Sequence, residues 1–261
     1  MLKVAVILMA LASPAFAGEY FFSLDGDDAS DCTRRTVPCR TPQLLIRKLS
    51  QGRHVLNLAP GHYSKIDVFH GLQVAIWGPY TGNGTCTDLG AVTVDSVSVQ
   101  DNATIWVHCL TAGDIGCRQW SIADISNVVV GHDGGVPLAI NETCRINTMQ
   151  DIRIKANVSA LAIVQNYSTL HVGGRVIFDH EDTIPAYLFR AVDSTIDLRS
   201  AMFSGHTPSK GLKFSLDHGV LHLPKGGLDA IPGKDFEMIN YSVCRPSCVA
   251  HSLADGPVSS P

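Results

Sequence analysis

Apolar residues along this chain recur in short alternating runs. Val97/Val99, Leu138/Ile140, Ala162/Val164, Phe189/Ala191 and Phe214/Leu216 are each apolar at positions i and i+2. That is the period of a strand with one buried face. Gly, Pro, Asn, Asp and Ser fill the gaps and mark tight turns. One segment breaks the pattern. Thr41 is placed to cap a helix and Pro42 suits its first position. Leu44, Leu45, Ile46 and Leu49 give that helix an apolar side, and Gly52 ends it. The spacing predicts a helix over 41–50, a strand over 20–24 before it and a strand over 55–58 after it.

The short runs share a phase. Aligned on Ile105, Val129, Ile146, Leu170, Ile196 and Leu221, they repeat at spacings of 24, 17, 24, 26 and 25 residues. Two residues before each anchor stand Ala103, Asn127, Cys144, Ser168, Ser194 and Gly219, all small. A repeat of this length suggests stacked coils, each of several very short strands, with neighbouring coils about 4.8 Å apart. The expected fold class is all-β, a single-stranded parallel β-helix with a short N-terminal capping helix that covers the open end of the stack. An antiparallel sandwich also has many short strands, but it would not keep one phase at this period. The domain reading is a leader at 1–17, an N-terminal strand, polar loop and cap helix at 18–54, coils at 55–235, and a C-terminal cap and tail at 236–261.

Composition narrows the function classes. Hydrophobic residues are 45% of 261 and charged residues only 17%, so the chain can bury a core and is not disordered overall. The formal charge of −4 argues against a nucleic-acid partner. Lys3, an apolar run from Val4 to Leu11 and the small-x-small triplet Ala15-Phe16-Ala17 read as a secretory signal peptide. No later run reaches the roughly 18 apolar residues of a membrane span. The expected location is secreted or periplasmic, with no integral membrane segment after the leader is removed. Eight cysteines in an exported chain imply disulfides. The local pairs are Cys32–Cys39 and Cys244–Cys248. Six N-x-S/T sequons begin at Asn83, Asn102, Asn141, Asn157, Asn166 and Asn240. They are read here as turn asparagines rather than glycan acceptors.

Two blocks carry a family resemblance. SLDGDDASDC, VPCRTPQLLIRKL and VLNLAPGHY open the chain, and GLKFSLDHGVLHLPKGGLDAIPG occupies 211–233. They resemble the opening strand, polar loop, cap helix and closing coil of right-handed parallel β-helix proteins of the pectin lyase-like group, many of them bacterial or phage-related. The resemblance implies a right-handed coil. It extends to architecture alone, because this fold serves lyases, hydrolases, tailspikes and adhesins. GHDGG at 131–135 and Arg153-Ile154-Lys155 look like fragments of polygalacturonase motifs, but the paired aspartates of that family are missing.

The alignment places one outward column one residue after each anchor: Trp106, Val130, Asn147, His171, Asp197 and His222. A second column precedes the anchors: Thr104, Val128, Arg145, Thr169, Thr195 and Val220. A histidine beside an aspartate suits general acid–base work, and an arginine grips a sugar carboxylate. His171, Asp197 and Arg145 are therefore the candidate catalytic set. Trp106, Asn147, His222, Arg153, Lys155 and Arg175 are the candidate ligand contacts. Asp25, Asp27, Asp28 and Asp31 crowd one polar turn, where calcium is the ion they would suit; no other cofactor is implied.

Taken together, these features lead first to a non-catalytic, secreted β-helix that binds a polysaccharide or cell-surface glycan. The alternative is a polysaccharide lyase or depolymerase using the His–Asp column. A third reading is a self-associating homo-oligomer of phage-tail or structural type.

Overall fold

The computed structural model describes residues 16–245, apart from 82, 133, 156–157, 180–186, 206–211 and 234. Strand β1 (Phe16–Phe22) comes first, followed by the helix α1 (Pro42–Ile46), then β2 (Arg53–Leu58), β3 (Gly61–Tyr63) and β4 (Ile66–Val68). Among the described residues, all that follows is strand and turn, save one 3-10 turn at Gly227–Ala230. Each strand pairs in parallel with the strand one coil away, and the pairs form three continuous faces. The protein is an all-β parallel β-helix.

The inward columns state the register. On the first face Val74, Ile105, Ala123, Ile146, Leu170, Ile196 and Leu221 are successive partners. All seven are fully buried. On the second face the column runs Tyr63, Val94, Ala112, Val130, Ile154 and Phe178. On the third it runs Val68, Val99, Cys117, Ile140, Val164, Ala191 and Leu216. The three columns meet in one core, widened towards the C-terminus by Phe189 and Phe214. Burying each aliphatic side chain contributes about 1.5–3 kcal/mol.

Two sequence expectations need correction. The anchor after Ile105 is Ala123, not Val129, and Val129 instead pairs with Thr111 and Arg153 on the second face. The coil between Ile105 and Ala123 is short, and the apolar run at 128–130 outweighs one alanine in any hydrophobic alignment. The helix is also shorter than expected and ends at Ile46. Ile46 is buried, whereas Leu44 is 43% exposed. The Thr41 hydroxyl does not cap the helix; it donates to Asp28 Oδ2 at 2.7 Å. The helix does cover the open edge. The Gln43 amide donates to the Asp67 carbonyl at 3.1 Å and accepts from its N–H at 2.7 Å, as a further strand would.

Disulfides join Cys32–Cys39, Cys86–Cys109 and Cys117–Cys144. The last two tie adjacent coils. Cys244 is also disulfide-bonded, and Cys248 lies outside the described residues. Three disulfides fit a protein that folds in an oxidising compartment. Among the described residues no helix is long and apolar enough to cross a membrane. The leader, the Asn157 sequon and the C-terminal tail also lie outside them, except that β1 begins at Phe16.

The corner between the third and first faces is turned by left-handed residues. Asp101/Asn102, Gln119/Trp120, Glu142/Thr143 and Asn166/Tyr167 have positive φ in pairs, while Asp193, His218 and Asn240 do so singly. Asn and Asp tolerate this region better than other side chains. The backbone alone thus accounts for the asparagine at Asn102, Asn166 and Asn240, all of positive φ.

One buried atom stands out against the apolar core. Thr148 is fully buried within the column Val107, Ile125, Thr148 and Val172, and its hydroxyl has no hydrogen-bond partner among the described residues. An unsatisfied buried polar group costs about 1–3 kcal/mol. Thr148→Val keeps the shape and removes that group, so it should raise the unfolding free energy by about 1 kcal/mol in a urea titration. A loss of stability would mean that the hydroxyl is satisfied in solution.

Candidate functional site

The first face carries the predicted outward column, with one replacement. In register the column reads Trp106, Asp124, Asn147, His171, Asp197, His222 and Arg245. Asp124 takes the place expected for Val130, and Ile122 takes that expected for Val128 in the neighbouring column. Both changes follow from the shifted anchor. His171 and Asp197 are adjacent as expected, with His171 Nδ1 3.2 Å from Asp197 Oδ2.

The partners of Asp197 decide what it can do. Arg199 donates to both of its oxygens, from Nε at 2.9 Å and from Nη2 at 2.7 Å. The Arg199 backbone N–H adds a third bond at 3.1 Å. The guanidinium fork above all, then that N–H and His171, holds the Asp197 carboxyl well below the usual carboxylate range, against the opposing pull of burial. Asp197 is therefore a fixed anion that orients His171, not a proton acceptor. The other His171 nitrogen lies against Gly173, where an added Cβ would stand 3.4 Å from Nε2.

The remaining candidates are scattered. Asn147 donates to Asp124 Oδ1 at 2.6 Å, which closes the ladder on itself. The Trp106 ring is covered by the Arg53 guanidinium, 4.9 Å from its centroid, so that face is not open to a sugar. His222 is half-buried between Asp197 and Arg245. Arg145 is exposed in the neighbouring column, two residues along the strand from Asn147. Arg153 and Arg175 lie on the second face, where they pair with Asp179 and Asp151 of adjacent coils. Lys155 is exposed at the end of that strand. Among the described residues, three concavities are lined without His171, Asp197 or Arg145.

The N-terminal carboxylates do not converge either. Asp28 accepts from the backbone N–H of Arg40 and of Thr41, each at 2.8 Å. Burial opposes its charge, but those bonds and the Thr41 hydroxyl outweigh it and lower its pKa. Asp31 accepts from the N–H and hydroxyl of Thr33, and Asp27 from the N–H of Ala29. Asp25 joins no such group. These aspartates tie the turn together rather than enclose an ion. Among the described residues only Cys86, His108 and Cys109 bring three donor atoms within 4.8 Å. Two of those sulfurs are a disulfide, which leaves no thiolate for a metal.

A cleft that the sequence pattern does not announce lies near the N-terminal end, between the first and second faces. Its volume is about 560 Å³, and Phe21, Arg35, Asn57, Trp77 and Tyr80 line it. Strand alternation sends Phe22 inward and leaves Phe21 facing this cleft. Along one wall the polar loop is hydrogen-bonded to Phe21, by its N–H to Cys32 and its carbonyl to Cys39, and Cys32–Cys39 closes it. The other wall is the loop after Trp77, anchored by Cys86–Cys109. Trp77 and Tyr80 meet edge to face at 5.1 Å. Gly78 has to be glycine, since a Cβ there would fall 1.8 Å from the Cys109 carbonyl oxygen. The Arg35 guanidinium lies over the Phe21 ring and has no carboxylate partner among the described residues. This is a preformed, aromatic and partly polar recess. The one hint in the sequence is the Trp77-Gly78-Pro79-Tyr80 string six residues before Cys86.

The ion pair at Asp197 makes stability depend on pH. Its folded-state pKa is lowered from an unfolded value of about 3.9, so the stabilisation is present above about pH 4 and lost as the pH falls below it. Asp197→Asn should lower the urea midpoint at neutral pH and flatten its fall below about pH 4 relative to the parent. Equal acid slopes in the two proteins would show that Asp197 is not held by Arg199. No protein-family model, curated protein or solved structure matches the chain.

Proposed function

We propose that this chain is an exported β-helix protein that binds carbohydrate without cleaving it, and that the cleft at Phe21, Trp77 and Tyr80 is where it does so. The observation that carries the reading is this recess, where the Trp77 and Tyr80 rings and an Arg35 guanidinium without a carboxylate partner among the described residues share one concave site whose walls are both stapled by disulfides. Aromatic faces stack on the apolar faces of sugar rings, while polar groups beside them take the hydroxyls. Export is supported by the signal-like residues before Gly18 and by the disulfides. The likeness to pectin lyase-like proteins enters as an architectural resemblance only.

The polysaccharide-cleaving reading has less behind it. General acid–base cleavage needs a group that gives or takes a proton in the working range. Asp197 is held ionised by Arg199, and the ladder lies on an open face.

The test is retention of the mature protein on immobilised neutral and acidic polysaccharides, with a parallel assay for new chain ends. Retention is expected on at least one of them, without new ends. Trp77→Ala and Tyr80→Ala should each weaken it about tenfold, the order expected for one lost stacking ring. His171→Ala should leave it unchanged. New ends that disappear in His171→Ala would replace the binding reading with an enzyme. Retention that survives both aromatic substitutions, in variants with parental circular dichroism, would move the ligand away from the cleft.

A further inference from the structure

The corner between the third and first faces is uniform except at one place. In the coils turned by Gln119/Trp120, Glu142/Thr143 and Asn166/Tyr167, two left-handed residues make the turn. Their second members, Trp120, Thr143 and Tyr167, hold equivalent positions in successive coils, two residues before the paired Ile122, Arg145 and Thr169, and so form a ridge. The next two coils turn with a single left-handed residue, Asp193 and then His218. Each lacks the residue that would continue the ridge. The last described coil again takes two residues, Asn240 and Tyr241, to reach Ser242, whose hydroxyl accepts from the Gly219 N–H. The ridge is therefore interrupted for two coils. The gap is a notch of about 310 Å³, lined by Tyr167, Thr169, Asp193, Thr195 and His218.

One wall of the notch is aromatic and its floor is polar. Tyr167, 78% exposed, forms that wall, and beyond the notch the ring of Tyr241, 90% exposed, lies 6.1 Å from that of His218. In the middle of the first face's central column the polar groups are already engaged: Asn147 with Asp124, His171 with Asp197, and Asp197 with Arg199. The groups in the notch differ. Among the described residues the hydroxyls of Thr169 and Thr195 and the carboxylate of Asp193 have no hydrogen-bond or ion-pair partner. His218 uses Nδ1 on Asp217, at 3.0 Å, which leaves Nε2 open.

We infer that this notch is a second carbohydrate site, separate from the N-terminal cleft, and that it takes a neutral sugar. A ring with an apolar face and several hydroxyls matches an exposed tyrosine beside a set of free acceptors and donors. The single charged group in it, Asp193, is an anion that accepts from sugar hydroxyls and repels a uronate or a sulfated sugar. Tyr167 also stands at φ +61°, an unfavourable conformation for a bulky side chain, and it faces solvent there. The notch and the cleft open at opposite margins of the first face. They lie between five and six coils apart, about 26 Å at a coil spacing of about 4.8 Å. The inference extends the carbohydrate reading of the cleft, but it stands on the geometry of the notch alone.

The experiment is a titration of the isotope-labelled protein with cellotriose, maltotriose, xylotriose, mannotriose and trigalacturonate, read from backbone amide shifts. At least one neutral trisaccharide should shift the amides of Thr169, Thr195 and His218. Tyr167→Gly should weaken that response about tenfold; glycine suits the positive φ, so the fold is kept. Tyr80→Ala should leave the response at the notch intact. No shift at the notch with any neutral sugar would overturn the inference even if the cleft binds. An equal response to trigalacturonate would overturn the neutral class. Shifts at the notch with none at the cleft would support this site and sink the other.

Discussion

Coil-to-coil register is the constraint on which the rest of this structure depends. A strand inside the stack takes its backbone partners from the coil before and the coil after, so such a coil is acceptable only if its inward residues fall in line with both. The column from Val74 to Leu221 shows how tightly that is held: seven successive partners, all apolar and all fully buried. A shift of one residue in any coil would turn its apolar set outward and its polar set into the core. The same register also fixes the surface, because residues that neighbour one another across coils must tolerate each other. Asp124 with Asn147, His171 with Asp197, Asp151 with Arg175 and Asp179 with Arg153 are its products.

Much of this was legible in the chain. From Ile146 onward the repeat length stays near 25 residues, the inward residues are large and aliphatic, and the alignment on Ile146, Leu170, Ile196 and Leu221 matches the pairing. The adjacency of His171 and Asp197 follows from it. Before Ile146 the signal is weaker. Ala123 offers little hydrophobic contrast, Val128 to Val130 offer a great deal, and a coil of 18 residues lacks the extra turn that its neighbours carry. An alignment weighted by hydrophobicity places its anchor on the wrong strand there.

The parts that stayed hidden depend on contacts that no period describes. Arg199 sits in the turn after Asp197, two residues along, and its side chain folds back to seize the carboxylate. Spacing alone leaves Asp197 looking like a base. Asp28 likewise looks like a metal ligand until the N–H groups of Arg40 and Thr41 are found on it, 12 and 13 residues away in the chain. The cleft draws on β1, β2, the polar loop and the loop after Trp77, which only the closed coil and its disulfides bring together. Cys86–Cys109 is one pair in a set of eight cysteines with 105 pairings, and nothing in the sequence selects it.

These observations point to one rule for where chemistry is available in such a stack. Where the coils repeat faithfully, an outward polar group has a neighbour above and below, and the pair tends to satisfy itself. A solvated pair of this kind is worth little and leaves little for a ligand. Groups become free, and surfaces become concave, where the repeat is broken by an insertion or a deletion. The loop between Trp77 and Val92 is an insertion, and it raises one wall of the aromatic cleft. The single-residue turns at Asp193 and His218 are deletions, and they open the notch below Tyr167. Among the described residues, in the first case Arg35 is left without a carboxylate partner, and in the second the hydroxyls of Thr169 and Thr195 and the carboxylate of Asp193 are left unpaired. His171 and Asp197 lie two residues further along the strands that carry Thr169 and Thr195, past the shortened corner, where the register is unbroken and the pair closes on itself.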